Sequence, residues 1–274
     1  MRFGVSTFLT DEGLQPAELA RAVEERGLDS LFVAEHTHIP VDEQPPDPSG
    51  DLPARDYYRS LDPFVALAAA ATATERLLLG TGIALAVQRD PITLAKQAAS
   101  LDHLSGGRFE LAVGAGWNRQ EMRNHGTDPR TRMALMRERM LAVKEIWTKE
   151  RAEFHGEFVD FGPIFSWPKP VRSSILIGGN GPTVLDRVLE YGDGWAPNLV
   201  GTPEDLVAQV ANLRHRAARP IPVTLIGAPL DERALTTLAE GGIDHFAFFR
   251  DAGAPEKEAL LFLDELAALA EKHR

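Results

Sequence analysis

"RLLLGTGIALAVQRDPITLAKQAASLDHLSGGRFELAVGAG", residues 76–116, is the stretch whose reading decides the fold. It opens with a short apolar run and closes with another. Between them lies "PITLAKQAASLDHLSGG", an amphipathic helical segment stopped by Gly106 and Gly107. Two short strands that are apolar on both faces and joined through one helix describe neighbours in a parallel sheet covered on both sides. Both strands end in glycine, at Gly80 and Gly82 in the first and at Gly114 and Gly116 in the second.

Outward from this unit the same alternation repeats. Before it come a strand "FGVST" (3–7), a helix "PAELARAVEERG" (16–27), a strand "LDSLFVAE" (28–35) and a helix "LDPFVALAAAATATE" (61–75). After it come the helix "RTRMALMRERMLAVKEIWTK" (130–149) and four further units. Their strands read "SSILIGG" (173–179), "DGWAPN" (193–198), "IPVTLIG" (221–227) and "IDHFAFFR" (243–250). Eight strand–helix units in 274 residues predict an α/β protein, a (β/α)8 TIM barrel, with residues 1–274 as a single domain. A doubly wound open sheet is the rival and normally uses fewer strands. Two segments break the rhythm and are expected as extended loops that cover a site: residues 37–60 after strand 2 and residues 152–173 before strand 5.

The composition narrows the function. The formal net charge is −11 and the basic residues form no block along the chain, which argues against nucleic acid as a partner. With no cysteine, disulfides, zinc–thiolate sites and thiol catalysis are excluded. "MRFGVSTFLTDEG" reaches an acidic residue too early for a signal peptide, and the most apolar run, "FVALAAAATAT", is too short to span a bilayer. A cytoplasmic location, with no membrane contact, is the expectation. No G-x-S-x-G nucleophile elbow and no carboxylate pair suited to glycosidase chemistry occurs.

A barrel of this class carries its site at the carboxyl ends of its strands. Glycine dominates three of those ends, in "GTGI", "GAGW" and "GGNG". One such glycine is ordinary turn geometry; three clusters together favour close approach of a large flat ligand. "IGGNGPTVLDR" (177–187) runs glycines and Asn180 into a helix start, an arrangement that suits a phosphate, with Arg187 able to add charge. A plain helix cap is the alternative. Strand 2 ends in Glu35, His36 and His38. The two histidines at period 2 can bind metal, but later strand ends supply Asn, Trp and Gly instead of further ligands, so no metal is expected. His36 reads better as a hydrogen-bond donor to a bound cofactor or substrate, against the alternative of a buried structural histidine.

With those residues assembled, "GTGIALAVQRDPITLAKQAASLDHLSGGRFELAVGAGW" (80–117) strongly resembles the luciferase-like monooxygenase superfamily. "FGVSTF", "GLDSLFVAEHTHIP" and "ILIGGNGPTVLDRVLEYGDGWAPN" agree in order and spacing. Within the superfamily the chain resembles the branch of oxidoreductases that uses the deazaflavin coenzyme F420 rather than FMN. The resemblance implies a hydride transferred between that coenzyme and a small-molecule substrate. It implies a non-prolyl cis peptide at Gly82–Ile83 propping the ring, and Gly114, Gly116 and Trp117 as ring surroundings. It further implies Gly178, Gly179, Asn180 and Gly181 as the phosphate cradle, His36 as the catalytic residue and a homodimer. An FMN-dependent monooxygenase is the alternative within the family, and a non-catalytic flavin-binding barrel the alternative outside catalysis.

Overall fold

The structure is a computed structural model that describes residues 1–41 and 55–273. Eight parallel strands form the barrel: β1 (Arg2–Thr7), β2 (Ser30–Val33), β3 (Leu78–Thr81), β4 (Phe109–Gly114), β5 (Ile175–Gly178), β6 (Gly194–Ala196), β7 (Thr224–Ala228) and β8 (His245–Phe249). They are hydrogen-bonded in the order β7-β8-β1-β2-β3-β4-β5-β6. A parallel bridge between Trp195 and Val223 closes the ring, helped by the Ile226 N–H donating to the Pro197 carbonyl (2.8 Å). The expected (β/α)8 barrel is therefore the observed fold.

Alternation along each strand sorts the core into two layers. Leu31 and Val33 of β2 join the large cluster beneath the helices, while Phe32 faces the barrel interior. There it packs with Leu78, Ala112, Leu176, Ala196, Ile226 and Ala247, one residue from each of six other strands. Three of these are alanines, which leaves space for one large ring. Gly80 is part of that fit, because a Cβ there would stand 2.3 Å from the Phe32 ring. Below this layer Ser30 Oγ and His245 Nε2 lie 2.7 Å apart, and burial drives the His245 pKa down to about 3, so its imidazole is neutral.

The third strand does not run unbroken through "RLLLGTGIAL". β3 ends at Thr81, the Gly82–Ile83 peptide is cis, and Ala84–Leu85 resumes pairing with Val113 and Gly114 of β4. Across the gap Thr81 Oγ1 donates to the Ala112 carbonyl (2.7 Å) and accepts from the Ala112 N–H (3.0 Å). One hydroxyl thus satisfies both backbone groups that the interruption would leave unpaired inside the barrel. A three-residue turn, Ala86–Gln88, then leads to helix Pro91–Leu104, where the Asp90 carboxylate accepts from the Thr93 N–H (2.8 Å).

Residues 152–173 differ from the expected bare loop. Ala152–His155 and Asp160–Ile164 pair as an antiparallel hairpin outside the barrel sheet. Its turn is held from the long helix Arg132–Thr148 by Glu138, whose carboxylate accepts the N–H groups of Glu157, Phe158 and Val159 at 2.9, 2.7 and 2.9 Å. In the other interruption Arg55–Arg59 is a short helix, and residues 42–54 of that loop lie outside the described residues. A short helix, Arg119–Asn124, also follows β4 where the sequence reading placed none.

"SGGR" has a structural reason. Gly106 and Gly107 both take left-handed backbone (φ +68° and +84°) to end the helix. The chain then delivers Arg108, which donates to the carbonyls of Ala71, Thr74, Leu77 and Ser105 and to Thr74 Oγ1, all within 3.0 Å. All five guanidinium N–H groups are used, and two βα units are tied together. Lysine lacks this planar fork. Arg108→Lys is expected to lower the free energy of unfolding by about 2–4 kcal/mol in urea denaturation, with an unchanged m-value.

Candidate active site

A cavity of about 430 Å³ opens at the carboxyl ends of the strands, and residues from all eight strand ends line it. Nine of the ten expected site residues are on its wall: His36, Gly82, Ile83, Gly114, Gly116, Trp117, Gly178, Gly179 and Gly181. Asn180 is the exception. Its side chain donates to the Asn198 carbonyl (2.7 Å) and accepts from the Asn198 N–H (3.0 Å), while Asn198 Nδ2 donates to the Ile226 carbonyl (2.9 Å). These bonds pin the ends of β5, β6 and β7 together and leave the Asn180 side chain committed to the scaffold.

The glycines divide into two kinds. A Cβ at Gly114 would stand 2.1 Å from Ile83 Cδ1, and one at Gly178 would stand 2.8 Å from Ile83 Cγ2. These two are glycine because the Ile83 side chain lies across β4 and β5 as the cavity floor. Gly179 and Gly181 are different: a Cβ at either position meets nothing within 4 Å. Gly179 also has left-handed backbone (φ +99°). Open space over bare backbone, the start of helix Val184–Tyr191 and the Arg187 guanidinium on the same wall make this corner fit a phosphate group. Around it Phe8, Tyr57, Leu85, Trp117, Met133, Ile226 and Phe249 supply apolar wall, so the residues present fit a planar ring carrying a phosphate.

His36 sits on that wall, almost fully buried. β2 ends at Val33, so His36 and His38 do not share a strand face as their spacing suggested. His38 is hydrogen-bonded to Thr37 (2.9 Å) and Asn124 (2.9 Å) and does not line the cavity. His36 Nδ1 is 2.9 Å from Glu121 Oε2, and Glu121 Oε1 accepts the Thr37 N–H (3.0 Å). Burial pushes the Glu121 pKa up, but the hydrogen bonds it takes from His36 and from the Thr37 N–H hold it below its ordinary value. An ionised Glu121 assigns the ring proton to Nδ1 and leaves Nε2 for a bound molecule. The rings of Tyr57, Trp117 and Phe8, at centroid distances of 4.9, 5.6 and 6.2 Å, fix the imidazole plane.

Glu35, the one carboxylate at the strand ends proper, is structural. It accepts from the Leu85 N–H (2.7 Å) and from Arg89 Nε (2.9 Å), and Arg89 also bonds Asp62 (2.7 Å). Among the described residues no group of three or more His, Asp or Glu side chains is arranged to hold a metal ion. The sequence reading missed Glu121 as His36's partner and Tyr57 as part of its aromatic box. Asn118 and Glu121 have helix-capping spacing, and Asn118 Oδ1 does accept the Glu121 N–H (3.0 Å). No local signal joins Glu121 to a histidine 85 residues away. No residue of the 152–173 segment lines the cavity, contrary to the expectation that it covers the site.

The luciferase-like monooxygenase family model matches residues 2–236. A Mycobacterium tuberculosis protein named only as uncharacterized is 40% identical over 286 residues, covering 99% of this chain and 97% of that one. The F420-dependent glucose-6-phosphate dehydrogenase of Kineococcus radiotolerans is 30% identical over 65% of this chain and 50% of its own. The FMNH(2)-dependent dimethylsulfone monooxygenase of Pseudomonas putida is 30% identical over 73% of this chain and 51% of its own. The crystal structure of the monooxygenase RslO1 from Streptomyces bottropensis superposes with a TM-score of 0.78 at 22% identity, covering 100% of this chain and 99% of that one.

Because its folded-state pKa is lowered, Glu121 contributes stability that is present above its unfolded value of 4.5 and is lost as pH falls through the folded value. Glu121→Gln is therefore expected to be about 1–3 kcal/mol less stable than the wild type at pH 7. That gap should narrow below pH 4.5 in urea melts taken across the acid range. A gap independent of pH would show that the pair is not ionic.

Proposed function

The chain belongs to the luciferase-like monooxygenase family, and we propose that within it the protein is an oxidoreductase that uses the deazaflavin coenzyme F420 to exchange a hydride with a small organic substrate. The observation that carries this reading is the buried His36–Glu121 pair, which sets His36 on the wall of an apolar cavity floored by Ile83. When bound, the coenzyme supplies a hydride acceptor or donor at its central ring. The backbone at Gly179 and Gly181, with Arg187, would hold the phosphate. Ile83 would back the ring from the barrel side, and Trp117, Tyr57 and Phe8 would limit water around it.

His36 handles the proton that accompanies the hydride. With Nδ1–H donated to Glu121, Nε2 would be free to take the proton released when a substrate hydroxyl is oxidised to a carbonyl, the hydride being accepted by the coenzyme when it is bound. The imidazolium so formed is stabilised by Glu121. In the reverse direction the same Nε2–H protonates the carbonyl oxygen. Glu121 acts through His36 and is a positioning residue. The kinship with the Kineococcus dehydrogenase supports this reading. The same cradle and walls fit FMN, and the kinship with the Pseudomonas enzyme supports an FMN-dependent monooxygenase as the second reading.

Titration of the apo protein with each coenzyme, followed by absorbance and fluorescence, is expected to give micromolar or tighter binding of F420 and weaker binding of FMN. Tight FMN binding without deazaflavin binding would transfer the assignment to the second reading. His36→Gln is expected to lower kcat about 10²- to 10⁴-fold while the coenzyme Kd changes only a few-fold. Gly181→Val, which places a branched side chain in the open space over the cradle, should weaken coenzyme binding at least tenfold with the fold retained by circular dichroism. Unchanged affinity in that variant would place the phosphate elsewhere.

A further inference from the structure

Beside the coenzyme cavity lies a second, more open basin of about 760 Å³. Its lining includes four arginines, Arg119, Arg123, Arg130 and Arg132, and a single carboxylate, Asp128. The two hollows are neighbours along the chain at two places. Trp117 lines the cavity and Arg119 lines the basin; Met133 lines the cavity and Arg132 lines the basin. Arg130 and Asp128 neutralise each other (2.6 Å). Arg119, Arg123 and Arg132 have no carboxylate within ion-pair distance among the described residues. Arg123 Nη1 bonds the Gln120 side chain (3.0 Å) and Arg132 Nη1 bonds the Pro129 carbonyl (2.5 Å), while Arg132 Nε is buried without a hydrogen-bond partner. The acid of the intervening helix, Glu121, is buried and bonded to His36 and Thr37. Three unpaired guanidiniums therefore gather at one rim of a chain whose net charge is −11.

We propose that this basin binds the oligoglutamate tail of the coenzyme, an inference that rests on the deazaflavin reading of the adjacent cavity. Beyond its phosphodiester, F420 continues into a lactyl group and a chain of γ-linked glutamates, each bearing a carboxylate. FMN ends at its phosphate and has nothing to place there. Successive tail carboxylates meet separate guanidiniums, whose planar donor pairs match a carboxylate. A chain of net charge −11 offers a polyanionic tail little general attraction, so local clusters of arginine matter. Each such exposed contact contributes a factor of roughly two to five in affinity, and salt screens it.

The test compares coenzyme carrying one glutamate with coenzyme carrying a long oligoglutamate chain, both of which keep the phosphodiester. Fluorescence titrations use the whole protein at low and high salt. The wild type is expected to bind the long-tailed form more tightly, and the preference should shrink at high salt. Arg119→Gln/Arg123→Gln, at two exposed positions, should lose about tenfold in affinity for the long-tailed form and little for the single-glutamate form. If both forms bind but the variant shows no selective loss for the long tail, the basin assignment is overturned and the deazaflavin reading stands. If neither form binds while FMN does, both fall together.

Discussion

The Ile83 side chain occupies volume that side chains at Gly114 and Gly178 would claim, and the upper half of the barrel is arranged around that contact. For Ile83 to reach across β4 and β5, the chain must leave strand geometry after Thr81. Such a departure inside a barrel normally strands backbone donors and acceptors where water cannot satisfy them. The Thr81 hydroxyl closes the gap by serving both polar groups of Ala112, and pairing resumes at Ala84. The barrel stays filled below, with Phe32 among alanines, and an apolar floor is left above it. The cavity is thus a consequence of how one interruption is packed.

Buried charge follows a similar logic. An ionised carboxylate removed from water is tolerated only with partners that compensate its lost hydration. Glu35 finds them in Arg89 and the Leu85 N–H, and the pair locks β2 to the turn after the interrupted third strand. Glu121 finds them in His36 and the Thr37 N–H. The two acids look alike in composition and exposure, yet one is scaffold and the other orients the imidazole on the cavity wall. The Asn180–Asn198–Ile226 chain of hydrogen bonds fixes the opposite wall. A site whose walls are held this way has little freedom to reorganise, which suits chemistry that depends on placing a ring and a substrate face to face.

The arginine basin shows how charge is organised beyond the cavity. Its four arginines lie within residues 119–132 but are spaced among polar and apolar residues, and the strong overall negative charge conceals them. The turn between two helices brings them to one rim. Local sign matters more than net charge for a partner that fits within a Debye length.

The sequence by itself determined the eight-unit barrel, because doubly apolar strands alternating with amphipathic helices have few other ways to bury both faces. It also pointed to the end of the barrel that opens into the cavity, since three glycine clusters fall at the carboxyl ends of successive strands. It did not distinguish glycines that yield to Ile83 from glycines open to a ligand, nor Asn180 the clamp from its lining neighbours. Nor could it find Glu121 beside His36, and it read the 152–173 hairpin as a loop over the site. Those outcomes depend on contacts between residues far apart in the chain, set by how strand ends and the segments after them come to rest. A local pattern of apolarity encodes which faces are buried; it holds no record of what each buried atom will touch.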